Sequence, residues 1–296
     1  MREKISIYFE MMKPRITLLA LLTGYLGYYL GLRYQNLMMT SYEQWIILFH
    51  LLFGMFLSAS GCAVLNQYLE KEFDAKMKRT QNRPLPSKRV DPNSVLLFGS
   101  ILCIIGIYYL YDMVNPTTSF ICFMTVFLYL FVYTPSKRFS TLNTIIGSIP
   151  GALPPLGGWT AATGGELHSI SWILFGILFC WQIPHFLAIA IIYSKDYKRG
   201  GFKMLPSEYP NSKHTHYHIL FFSIAMIGTS LGLYFTKIVE TGYVLGISII
   251  GSLFFIIVIQ FLSDPSNKNA KKLMLATLFY FPLMFILIIL DAVNFI

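Results

Sequence analysis

Nine apolar runs dominate this chain, near residues 16–32, 45–66, 94–112, 117–134, 142–162, 170–193, 214–236, 242–262 and 272–293. A hydrocarbon layer about 30 Å thick is crossed by about 20 helical residues. Backbone groups find no water there, so an isolated span is helical. Nine spans consume about 190 residues, which leaves too few of the 296 for a second soluble domain. A single domain over 1–296 is expected. Charged residues make up 12% of the chain, against about 25% in a soluble domain. That charge cannot cover a water-soluble surface. The expected fold class is an all-α membrane protein with nine transmembrane helices.

Charge placement orients the bundle. The basic start (Arg2, Lys4, Lys13, Arg15) leads into a long apolar run with no small-residue cleavage site, which reads as a first span and not a removed signal. Of the 23 Lys and Arg residues, 21 fall on one side of the nine-span plan, leaving Arg33 and Lys237 on the other. The positive-inside rule puts the N-terminus and the basic loops in the cytoplasm. The net charge of +9 therefore reflects topology, and no aromatic-basic or helix-turn-helix pattern points to nucleic acid. Few ionisable residues lie deep in the runs, unlike the usual ion pump or proton-coupled carrier. Cys62, Cys103, Cys122 and Cys180 all lie inside apolar runs without C-x-x-C spacing and read as small buried residues.

Chemistry concentrates at the cytoplasmic ends. Asn66, Glu70 and Asp74 follow one another at intervals of four. On a helix they share one face, with neighbours about 5–6 Å apart. Carboxylates in a row suit Mg²⁺, which is held by a few carboxylates together with substrate phosphates. Lys78, Arg79 and Arg83 follow and suit phosphate oxygens. The same pattern also describes a solvated helix end with charge pairs. A second cluster, Lys195-Asp196-Tyr197-Lys198-Arg199, follows the sixth run on the same side, so the two loops can clamp one anionic head group. Alone it is an ordinary charged loop.

Two stretches break the helical pattern. Tyr133-Thr-Pro-Ser-Lys137-Arg138 precedes a Gly/Pro-rich stretch, 147–159. Such density kinks a helix, and irregular backbone in a membrane belongs beside protein or a cavity. The fifth run is therefore placed along the chamber; close packing through small residues is a compatible alternative. In the sixth run, Trp181-Gln182-Ile-Pro184-His185 carries a histidine that suits a metal-centred substrate or a proton, or else a structural hydrogen bond at a kink. His50 reads as structural. His214, His216 and His218 alternate, which turns them to different helix faces and disfavours a shared metal.

With these residues in hand, the chain resembles the UbiA superfamily of intramembrane prenyltransferases, and within it the haem-farnesylating branch. The matching text is NQYLEKEFDAKMKRTQNRPLP from Asn66, YTPSKR at 133–138, GALPPLGGW at 151–159, WQIPHF at 181–186 and KDYKRGGFKMLP at 195–206. The family's first motif usually carries aspartate where Glu70 stands, and the superfamily's second motif often has two aspartates where only Asp196 is present. The resemblance implies a helical bundle around a central cavity. It also implies transfer of a farnesyl group from farnesyl diphosphate to a vinyl group of haem b, giving haem O and diphosphate.

It implies Mg²⁺ on Asn66, Glu70, Asp74 and Asp196, with Lys78, Arg79, Arg83, Lys137, Arg138, Lys195 and Tyr197 around the diphosphate. Tyr133 then donates to the leaving oxygen, and His185 approaches the haem. Haem A synthase or terminal-oxidase assembly factors are the implied protein partners. The bacterial cytoplasmic membrane, with the site facing the cytoplasm, is the implied location. Competing readings are an aromatic prenyltransferase for quinone precursors, against which 151–159 and Pro184-His185 argue, and a non-enzymatic carrier, whose paired broken helices with mid-membrane polar groups are mostly lacking.

Overall fold

The computed structural model describes residues 2–210 and 213–293. The side chains of Arg2 and Lys4, two of the cations counted above, are not among those described. A short helix α1 (Arg2–Met11) precedes the first span, α2 (Pro14–Tyr34). Next come α3 (Tyr42–Asp74) and α4 (Pro92–Met113). The fourth span runs from α5 (Pro116–Phe127) through a π-helical stretch, Leu128–Tyr133, into α6 (Thr134–Phe139). The remaining helices are α7 (Asn143–Ala152), α8 (Pro154–Ala162), α9 (Ser169–Ile192), α10 (Ser194–Gly200), α11 (Leu205–Glu208), α12 (His214–Gly232), α13 (Thr241–Ser263) and α14 (Asn267–Val293).

Among the described residues, eight helices are long and apolar enough to cross a membrane, and the chain is an integral membrane protein. Their outward faces carry bare apolar side chains such as Ile104, Phe221 and Leu253, as contact with lipid requires. The ninth expected span, 142–162, is not one helix. It is α7 and α8, joined at Leu153. Pro154 and Pro155 have no N–H to continue the ladder, and a proline at the first position instead starts a new helix.

Several helix starts are written locally. Asp91 and Asn115 each precede a proline and accept the backbone N–H of Ser94 and Thr118, both at 2.8 Å. Ser41 and Gln44 form a capping box at the head of α3. The start of α13 is capped from afar: Asp291 on α14, 5% exposed, accepts the N–H groups of Glu240 at 2.6 Å and Tyr243 at 3.0 Å. Asp291→Ala is expected to cost about 1–2 kcal/mol by leaving these donors unmet. Thermal unfolding in detergent measures this, and Asp291→Asn should recover part of the loss.

Helices α2, α3, α4, α5, α7, α8 and α9 border one chamber. On one side α2 packs on α8 at backbone contact: a Cβ on Gly27 would overlap the Pro155 carbonyl, and one on Gly158 the Gly24 carbonyl oxygen. Small residues allow this approach. On the other side α9 packs against α12 and α14, with Trp181 Nε1 donating to the Thr277 carbonyl oxygen at 2.7 Å.

Candidate active site

The inner end of α3 presents Asn66, Glu70 and Asp74 on one buried face, at 2%, 5% and 0% exposure. Each meets its own cation. Lys13 Nζ lies 3.4 Å from Asn66 Oδ1, Lys137 Nζ 2.7 Å from Glu70 Oε1, and Arg83 Nη1 2.6 Å from Asp74 Oδ2. Asn66 also donates to Thr134 Oγ1 at 3.2 Å. Asp74 Oδ1 is buried without a hydrogen-bond partner, an open acceptor where a cation would bind. Three cations against two carboxylates leave a positive balance, which favours an anionic ligand.

Lys13 is the residue that the sequence reading did not place in the site. It sits at the α1–α2 junction with φ 49° and ψ 59°, a left-handed backbone uncommon for lysine and typical of functional strain. Burial, helped by the Arg83 charge, lowers its ammonium pKa to about 8. The visible signal was a lysine directly before the proline that opens the first span.

Lys137 and Arg138 part company. Neighbours on a helix point about 100° apart, so only Lys137 turns inward, its Nζ 4.4 Å from the Tyr133 ring centroid. Arg138 braces the outside of α3, donating to the Leu69 carbonyl oxygen at 2.9 Å and lying over Phe73 at 4.1 Å. Lys78 and Lys195 are exposed. The structure does not bring these three to the chamber.

Asp196 stands apart from the α3 row. Its Oδ2 accepts the Arg79 backbone N–H at 3.1 Å and its Oδ1 lies 3.3 Å from Arg199. Arg79 in turn reaches the Tyr197 hydroxyl at 3.2 Å. The contact ties the loop after α3 to α10 at the chamber mouth. Among the described residues no three His, Cys, Asp or Glu side chains converge as a ready-made metal cage. Each carboxylate instead meets a cation, and Asp196 a backbone N–H as well.

Behind this mouth lies a cavity of about 500 Å³, bordered by Lys13, Arg79, Tyr133 and Tyr197 at its charged end. The carboxylates do not border it themselves; Lys13 and Tyr133 do. Tyr129 and Tyr133, four residues apart in the π-helical stretch and so on one face, both reach the cavity. Pro135 supports that geometry, since it lacks the N–H an α-helix would aim at Phe131. Gly147 makes room for the Tyr133 ring and Gly151 for the Gln182 amide. The broken pair α7–α8 thus supplies a chamber wall through Thr144, Gly147, Pro150 and Gly157.

His185 borders the same cavity from α9, stacked on Trp181. Its Nδ1 lies 2.8 Å from Thr277 Oγ1. Thr277 gives its one proton to the Met274 carbonyl oxygen at 2.6 Å, so it accepts from Nδ1–H. In the neutral ring this leaves the lone pair on Nε2. The alternating histidines do not converge: His216 packs on Phe261 and His218 on Phe222. His50 bonds Tyr109 at 2.6 Å, a structural contact.

The chain matches the UbiA prenyltransferase family over residues 17–289. It is 39% identical to a protoheme IX farnesyltransferase of Solibacter usitatus (strain Ellin6076), over 96% of this chain and 98% of that one. Its fold resembles the structure of a digeranylgeranylglyceryl phosphate synthase, with TM-score 0.81 and 20% identity over 99% of both chains. It also resembles a UbiA homologue from Archaeoglobus fulgidus bound to DMAPP and Mg²⁺, with TM-score 0.63 and 14% identity over 95% of this chain and 98% of that one. With the family match over 17–289 and a relative 39% identical across nearly the full length of both chains, the chain belongs to the UbiA prenyltransferase family.

Proposed function

We propose that this prenyltransferase moves a farnesyl group from farnesyl diphosphate to a vinyl group of haem b, yielding haem O and diphosphate, at the cytoplasmic face of a bacterial inner membrane. The observation that carries the reading is one continuous cavity with a cationic mouth and an apolar, aromatic interior. It accommodates both ends of a prenyl diphosphate. The relative from Solibacter usitatus, named for farnesyl transfer to protohaem IX, supplies the chain length and the acceptor.

Lys13, Lys137 and Arg83 hold the diphosphate oxygens, and Arg79 closes over them from the mouth. Asn66, Glu70, Asp74 and Asp196 would hold Mg²⁺; the unpartnered Asp74 Oδ1 fits such an ion. When bound, it neutralises charge on the leaving group. The C1–O bond breaks with its electron pair leaving on diphosphate, and Tyr133 donates to the departing oxygen. C1 then bonds the terminal vinyl carbon, and water adds to the inner carbon with loss of a proton. Tyr129, Tyr133 and Trp181 shield the allylic cation by their ring faces, at about 0.5–2 kcal/mol per good contact. His185, held by Thr277, offers Nε2 to the haem iron.

Purified protein given farnesyl diphosphate, Mg²⁺ and either haem b or a hydroxybenzoate tests this reading. Farnesylated haem is expected. Product from the ring acid alone would reject it in favour of a quinone-precursor enzyme.

A further inference from the structure

The chamber has a floor. Farthest from the charged mouth it is closed by Met55 on α3, Leu110 on α4, Thr118 and Ile121 on α5 and Gly157 on α8. These side chains are held: Leu110 is fully buried against Gly54, Met55 lies on Gly24, and Thr118 bonds Thr160 at 2.9 Å. Gly157 differs. A Cβ built there meets nothing nearer than Ile121 Cγ2 at 3.8 Å. Unlike Gly27 and Gly158, it is not needed for helix contact, and its missing side chain is cavity space.

The depth can be measured along α3. Asn66, whose partner Lys13 borders the charged end, gives the level of the mouth and Met55 that of the floor; they are eleven residues apart, or about 16 Å at 1.5 Å per residue. An extended chain advances about 3.3–3.6 Å per three bonds. A farnesyl main chain of eleven carbon–carbon bonds then spans about 13 Å, and a geranylgeranyl chain of fifteen about 17 Å. The first fits beneath the mouth with terminal methyl groups touching the floor. The second does not.

We infer that Gly157, which borders the cavity beside Ile121, is the ruler that sets the prenyl chain length, with the isoprenoid tail lying along α3 and its last unit in the space Gly157 leaves open. This rests on the proposed function for the identity of the donor. A leucine at 157 adds four carbons where the last five-carbon unit would lie. It also favours the helix more than glycine does, so the fold is expected to persist.

The test compares wild type, Gly157→Leu and Met55→Ala, each first shown monodisperse with a wild-type unfolding temperature. Binding of the non-hydrolysable thiolodiphosphates of geranyl, farnesyl and geranylgeranyl alcohol is measured by thermal shift, and turnover of the three diphosphates with haem b in parallel. Gly157→Leu should move the geranyl-to-farnesyl preference by tenfold or more toward geranyl. Met55→Ala should gain geranylgeranyl binding. Unchanged donor preference in both variants, or a raised KM for haem with donor preference intact, would overturn the inference, the latter by placing the acceptor at the floor. The binding arm needs no acceptor. If wild type binds farnesyl thiolodiphosphate and Gly157→Leu shifts that preference while haem is not prenylated, the ruler stands and the acceptor assignment falls.

Discussion

Asp74→Asn is expected to reduce turnover on the order of 10²–10³-fold, the scale set by removing one pre-organised electrostatic group from a transition state. Asp74 is fully buried, and its Oδ1 is the unpartnered acceptor at the inner end of α3. The amide keeps the shape but loses the charge that Arg83 answers. Haem affinity should stay within a few-fold if the group acts at the diphosphate end, as proposed. Steady-state kinetics alongside spectroscopic haem titration separate the two. Equal loss of both would show that Asp74 holds the structure and not the leaving group. Asp196→Asn should cost less, since its carboxylate is already engaged by the Arg79 N–H and Arg199. It should raise KM for the prenyl diphosphate by loosening the mouth.

The second large effect concerns the Lys137–Glu70 pair, whose side chains are 13% and 6% exposed. Breaking such a pair leaves a buried charge and costs about 3–5 kcal/mol, whereas removing both charges is close to neutral. Lys137→Met should therefore unfold at markedly lower temperature. The double variant with Glu70→Gln should regain most of the stability and none of the turnover. The Lys13 charge also acts on Glu70, which places the single variant toward the lower end of that range. If the double variant were as unstable as the single one, the pair would be a packing element and not an electrostatic one.

Most spans were legible because bilayer crossing imposes a length and an apolarity that a one-dimensional reading detects. The caps at Asp91 and Asn115 were equally local, each an acceptor directly before a proline. The fifth run was legible as interrupted, since its prolines stop the hydrogen-bond ladder. That its second half packs on α2 at backbone contact through Gly27 and Gly158 was not legible. The four-residue spacing of Asn66, Glu70 and Asp74 settled that they share a face. It could not say that each would find a cation from a different segment.

What the sequence determined by itself was the class of molecule and the row of acceptors on α3. Both follow from helical periodicity and from the cost of charge in hydrocarbon. What only the tertiary structure decided was partnership: Lys13 on Asn66, Lys137 on Glu70, Asp196 on the Arg79 amide, and an empty place at Gly157. These contacts join residues up to 117 positions apart. They arise from the packing of whole helices, which no local pattern encodes.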